Sequence, residues 1–161
     1  MGYCAEPVDA VEFLKSEQHQ ISLYFDAYFA ATSESSRHIV MGELVNCVRI
    51  HLALEAEVFY PAFITTTEDT GTYFAAAEGC SSVQELLNEI QFSEPGDIGS
   101  VVRVRALNNA FREHLRKANV AFSVYNQAAK SLTNAFSVGS ALRARKRALQ
   151  DVDPRYINRL R

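Results

Sequence analysis

One apolar stripe constrains this chain more than any other feature. Leu44, Val48, His51, Glu55 and Val58 follow the three-and-four spacing of a helix face turned toward a protein interior, yet two of these five residues are ionisable. An imidazole and a carboxylate four residues apart project from the same side of a helix and can hold one cation between them. A carboxylate taken out of water costs several kcal/mol unless its charge is compensated. The stripe therefore demands a helix at this point and, beside Glu55, a metal ion, a proton or a cationic partner.

The same periodicity, interrupted by polar and Pro/Gly stretches, divides the remainder into further helices, with no strand pattern. The first segment runs from about Pro7 to Thr32 with Val11, Leu14, Gln18, Ile21, Phe25 and Tyr28 on its stripe. Ser33 to Ser36 offers a break and a cap before the second segment, which Pro61 is expected to bend or end near Ile64. Tyr73, Ala76, Cys80, Val83, Leu87 and Ile90 mark a third helix, and Ser93-Glu94-Pro95-Gly96-Asp97 a turn. The fourth segment carries Val104, Leu107, Phe111, His114, Ala118, Ala121 and Tyr125, and a weaker fifth contains Gly139 before Pro154 closes regular structure. The expected fold is all-α: an antiparallel up-down-up-down four-helix bundle with a short C-terminal fifth helix. We expect one domain over residues 1–161, its bundle core at about 7–130 and its C-terminal helix and basic tail at about 131–161.

No apolar run reaches transmembrane length and the N-terminus lacks the regions of a secretory signal, so the expectation is a cytoplasmic protein with no membrane partner. Cys4, Cys47 and Cys80 are widely spaced and form no CxxC pair, which argues for reduced thiols. From residue 140 onward, seven basic residues face two acidic ones in a chain of net charge -3. No aromatic residues interleave with the basic cluster of Arg143, Arg145, Lys146 and Arg147. We read it as a solvated helix face and expect no nucleic-acid partner.

Inward direction selects the candidate site. Gln18, His51, Glu55, Cys80 and His114 are the polar residues that lie on the four apolar stripes near the middle of each segment, where a bundle brings side chains together around its axis. His51, Glu55 and His114 form a two-histidine, one-carboxylate set of the type found in open non-haem iron sites. Gln18 can equally be a buried hydrogen-bonding amide, and Cys80 a small buried hydrophobe. His19 lies well round its helix from Leu14 and Ile21, and His38 lies far from the level of the site; both are expected at the surface. No nucleophile beside a base, phosphate-binding glycine loop or paired inward carboxylates point to an enzyme; peroxide turnover at a bound iron is the one enzymatic reading.

Across His51-Leu52-Ala53-Leu54-Glu55-Ala56-Glu57-Val58-Phe59-Tyr60-Pro61-Ala62 the chain resembles the hemerythrin-like proteins of the HHE cation-binding family. Leu14-Lys15, Tyr24-Phe25-Asp26-Ala27-Tyr28, Glu85-Leu86-Leu87 and Ala141-Leu142-Arg143-Ala144-Arg145-Lys146 extend the resemblance over most of residues 7 to 149. It implies a four-helix bundle whose histidines and carboxylates hold non-haem iron that binds or reacts with oxygen species. By the resemblance, His51 and Glu55 match the second-helix ligands and His114 the fourth-helix histidine. Gln18 and Cys80 stand where the family has its first-helix and third-helix histidines, and Ala118 where it has a fourth-helix carboxylate. The implied cofactor is accordingly mononuclear iron rather than a di-iron pair, with zinc or no metal as alternatives. The implied partner is a small diatomic molecule (oxygen or nitric oxide) or peroxide; a metal-free interaction module is the alternative.

Overall fold

A computed structural model of the chain describes residues 6–93, 97–119 and 123–151. Asp9 opens the first helix, α1 (Ala10–Ala30), by accepting hydrogen bonds from the backbone N–H groups of Val11 and Glu12, which places the start three residues later than Pro7 suggests. Ser33 caps α2 (Glu34–Leu54) through the Ser36 N–H, as the serine patch leads one to expect. A π-helical turn, Glu55–Phe59, joins α2 to α3 (Tyr60–Thr67). Asp69 caps α4 (Thr70–Gln91). The chain then continues through α5 (Ser100–Asn119), α6 (Val124–Ser131) and α7 (Ala135–Gln150). Cys4, Ala121, Pro154 and the Glu94-Pro95-Gly96 part of the expected turn lie outside the described residues.

The fold is an all-α bundle in which α1 packs on α2 and α4 on α5, with α7 laid along α1. Its interior falls into two apolar clusters. One gathers Val11, Leu14, Leu54, Phe59, Phe63, Tyr125 and Leu142 among others; the second gathers Ile21, Phe25, Leu44, Val48, Leu87 and Phe111 among others. Along α1 and α5 the buried polar residues Gln18 and His114 fall between the two sets, and His51 and Glu55 lie where the sets meet and interleave on α2, so a polar layer marks the boundary between two apolar ones.

Two local expectations are corrected. Pro61 does not end the second segment, which continues to Thr67: the Tyr60 N–H reaches back five residues to the Glu55 carbonyl, and this wider turn carries the helix past a residue with no N–H of its own. The turn also shifts the inward face, so Phe59 and Tyr60 are buried while Val58 is only half-buried. The fourth segment, read as one stripe through Tyr125, is two helices. Ser123 starts α6 anew by accepting from the Asn126 N–H while its hydroxyl donates to the Ala118 carbonyl.

The basic C-terminal helix finds its partners within the chain. Arg145 pairs with Glu57 at 2.6 Å, Lys146 with Glu17 at 2.7 Å, and Arg143 donates to the Glu6 carbonyl; Arg155, Arg159 and Arg161 lie outside the described residues. Gly139 makes this docking possible, because a Cβ there would overlap the Val8 carbonyl oxygen. Gly139→Ala is expected to lower stability by about 1–3 kcal/mol, since the obstructing atom is backbone and cannot rotate away. Urea unfolding should show this loss; a variant as stable as the parent would mean that α7 docks differently.

Candidate metal centre

Glu55 stands at the junction of α2 and the π-helical turn, fully buried, and the other site residues converge on its two oxygens. His114, from the middle of α5, lies with Nε2 2.9 Å from Oε2. His51, one turn before Glu55, has Nε2 3.5 Å from Oε1. Tyr125 on α6 donates its hydroxyl to Oε1 and accepts from the Gln18 amide nitrogen at 2.9 Å. Cys80 on α4 lies with Sγ 3.7 Å from Oε2 and 4.0 Å from His114 Nδ1, and 3.6 Å from the Tyr60 hydroxyl.

The structure thus brings all five sequence-selected residues to one level, but in different relations to Glu55. His51, His114 and Cys80 face the carboxylate directly. Gln18 is a buried hydrogen-bonding amide that reaches it through Tyr125. His19 and His38 are exposed, the first as its direction requires and the second as its place at the start of α2 leads one to expect. Sequence reasoning missed the roles of Tyr125 and Tyr60. A signal existed, since a buried tyrosine hydroxyl almost always seeks a polar partner, but nothing in the apolar spacing said which one.

Charge within the layer is unevenly settled. Burial pushes the Glu55 carboxyl up, yet the imidazoles of His51 and His114 more than offset this and hold it well below the usual carboxylate range. Burial likewise works against a charged His114, but Glu55, with a contribution from Cys80, pushes its pKa up to about 10. Burial followed by the Glu55 charge keeps Tyr125 well above its ordinary value, so it stays a donor. His51 differs from all of these. It is completely buried, packed edge-on against Phe111 at 5.8 Å, and neither ring nitrogen has a hydrogen-bond partner.

This balance sets a pH dependence in chelator-treated protein. His114 rises from 6.5 to about 10 on folding, so its contribution is complete below pH 6.5 and is lost as pH climbs through about 10. Glu55 falls below its ordinary 4.5, so the carboxylate's contribution is present above that value and is lost as pH drops through the folded pKa. Stability from this pair is expected to peak between about pH 4.5 and 6.5 and to fall by several kcal/mol toward pH 10. Denaturation at stepped pH would show this, and His114→Phe should flatten the alkaline limb.

Among the described residues, His51, Glu55 and His114 form the group able to hold a metal ion, with one ligand atom from each lying within 4.8 Å of the others. Cys47 and Cys80 are free thiols, in keeping with the reduced state expected. No described helix is long and apolar enough to cross a membrane. Neither a protein-family model nor a curated protein matches the chain. Among solved structures, it is similar to a hemerythrin HHE cation binding domain-containing protein from Mycobacterium kansasii, with a TM-score of 0.69 over 89% of this chain and 88% of that one at 19% identity. The fold is therefore hemerythrin-like.

Proposed function

We propose that this hemerythrin-like bundle binds one metal ion through His51, Glu55 and His114, iron in the first instance, and uses it to bind or sense oxygen, nitric oxide or peroxide. The observation that carries the proposal is the state of His51. A buried imidazole whose two nitrogens make no hydrogen bond, with Glu55 Oε1 at 3.5 Å as the polar contact of Nε2, forfeits its hydrogen bonds to water without full replacement, a cost of about 1–3 kcal/mol that a coordinated cation would remove. Two imidazoles and a carboxylate suit iron or zinc. Cys80 is the nearest candidate for a further donor. We assign Gln18 to positioning rather than ligation, because its amide holds Tyr125, which in turn fixes one oxygen of Glu55.

A bound ferrous ion would supply a redox-active centre with open positions for a small ligand. The chain's own part is to exclude water, orient the carboxylate through Tyr125, and release the proton that His114 carries while paired with Glu55. Metal uptake near neutral pH should accordingly acidify the solution.

Elemental analysis of anaerobically purified protein is expected to find about one iron or zinc per chain, lost in His51→Ala. Less than about a tenth of an ion per chain, unchanged by reconstitution with ferrous iron, would sink the proposal. One observation favours a second reading, a metal-free bundle serving as a structural or interaction module: His114 and Tyr125 already satisfy both oxygens of Glu55. That reading requires a melting temperature indifferent to chelators.

A further inference from the structure

Arg49 is a buried cation outside the polar layer. It is 9% exposed, its Nη2 donates to the Gln91 side-chain oxygen at 2.5 Å, and its buried Nε has no hydrogen-bond partner. Among the described residues no carboxylate lies within ion-pair distance of it, whereas the nearby Arg145 is already paired with Glu57. Burial accordingly lowers its pKa, with no neighbouring acid to offset the effect. A guanidinium held in this way is costly to the folded state and usually has an anion beside it.

Arg49 also lines a cavity of about 630 Å³ between α2, α4 and α7, within the size range of small-molecule sites. Arg49 and Gln91 stand at one end. Leu52, Ala56 and Leu149 supply apolar wall from α2 and α7, the α4 side is polar, and Cys80, which touches Glu55 and His114, stands toward the other end. From Arg49 to Ala56 is two helical turns, or about 10 Å of groove.

We propose that this groove binds an organic monocarboxylate, its carboxylate on Arg49 and its apolar body lying along Leu52, Ala56 and Leu149 toward Cys80. The single uncompensated cation sets the ligand's charge at one. Glu85, on the facing α4 side, disfavours a dianion such as a phosphate monoester. The planar guanidinium suits a carboxylate, and the apolar wall between the two ends favours a chain over a bare ion. The site needs no metal, so it stands apart from the centre at Glu55 even though its far end borders it.

The test uses octanoate, octanol and inorganic phosphate as probes, followed by NMR on the full chain both chelated and reconstituted with ferrous iron. Octanoate is expected to shift the Arg49 Nε–H and the Leu52 and Gln91 amides saturably, and octanol to bind at least about tenfold more weakly. Arg49→Met should weaken octanoate by at least about tenfold, while the ligand-free variant melts no lower than the parent because an uncompensated buried charge is gone. Equal binding of octanol, unchanged affinity in Arg49→Met, phosphate displacing octanoate at lower concentration, or no shift of Arg49 Nε–H up to about 1 mM octanoate would overturn the proposal. The Arg49 resonance in the parent protein decides the matter even if the variant fails to fold. Because metal content is measured separately, failure here leaves the metal reading standing.

Discussion

Glu55→Ala is expected to be the most damaging single substitution, lowering the stability of metal-free protein by about 3–5 kcal/mol near pH 6. The carboxylate is the shared acceptor of the polar layer, receiving Tyr125 on one oxygen and His114 on the other. Its removal leaves an imidazole and a phenol buried without their partner and opens a void between the two apolar clusters. His114 then loses the negative charge that raises it, and burial drives it neutral. The alkaline fall in stability should vanish with the same substitution. Urea unfolding with chelator present measures both effects, and a loss below about 1 kcal/mol would show that Glu55 is not the organising group.

His51→Leu should behave in the opposite way. Neither nitrogen of His51 makes a hydrogen bond, so leucine gives up only the 3.5 Å contact of Nε2 with Glu55 and removes two unsatisfied atoms from the interior. Metal-free stability is expected to hold or to rise by about 1 kcal/mol, while metal affinity falls by more than about a hundredfold. Thermal melts of chelated protein beside iron titrations of parent and variant would separate the two effects. If leucine instead destabilises the chelated protein by more than about 2 kcal/mol, His51 is a packing residue and the metal-free reading gains. The contrast with Glu55 is informative because the two residues sit one turn apart and are equally buried. A structural network should suffer from losing either; a binding site with one dedicated ligand should not.

Much of this was legible in the sequence, because helix faces are. Gln18 rather than His19 pointed inward, and His51, Glu55, Cys80 and His114 fell on stripes that the bundle does bring together. What was not legible turns on features that leave the periodicity intact. Tyr125 continues the spacing of α5 so well that a straight helix and a broken one read alike. The break is made by Ser123, and α6 is then anchored by Gln127 to Asp69 and Thr72. The π-helical turn adds no breaker residue of its own, and Pro61 gives opposite advice about it. Arg49 escaped notice for a different reason. It lies off the stripe, on a flank of α2 that α4 and α7 cover, and the basic composition of α7 argued for a solvated helix.

The division of the interior has a consequence for how the molecule holds its shape. The cluster at one end draws on α6 and α7, whereas the cluster at the opposite end is built from α1, α2, α4 and α5 without them. Each half can keep its own apolar surface dry, so the hydrophobic effect alone gives little reason for the halves to melt together. The cooperativity of the whole therefore rests on the four helices, α1, α2, α4 and α5, that reach both and on the charges settled at their common level. In that light the polar layer is a seam, and whatever sits on Glu55, proton or metal, decides how firmly the seam is closed.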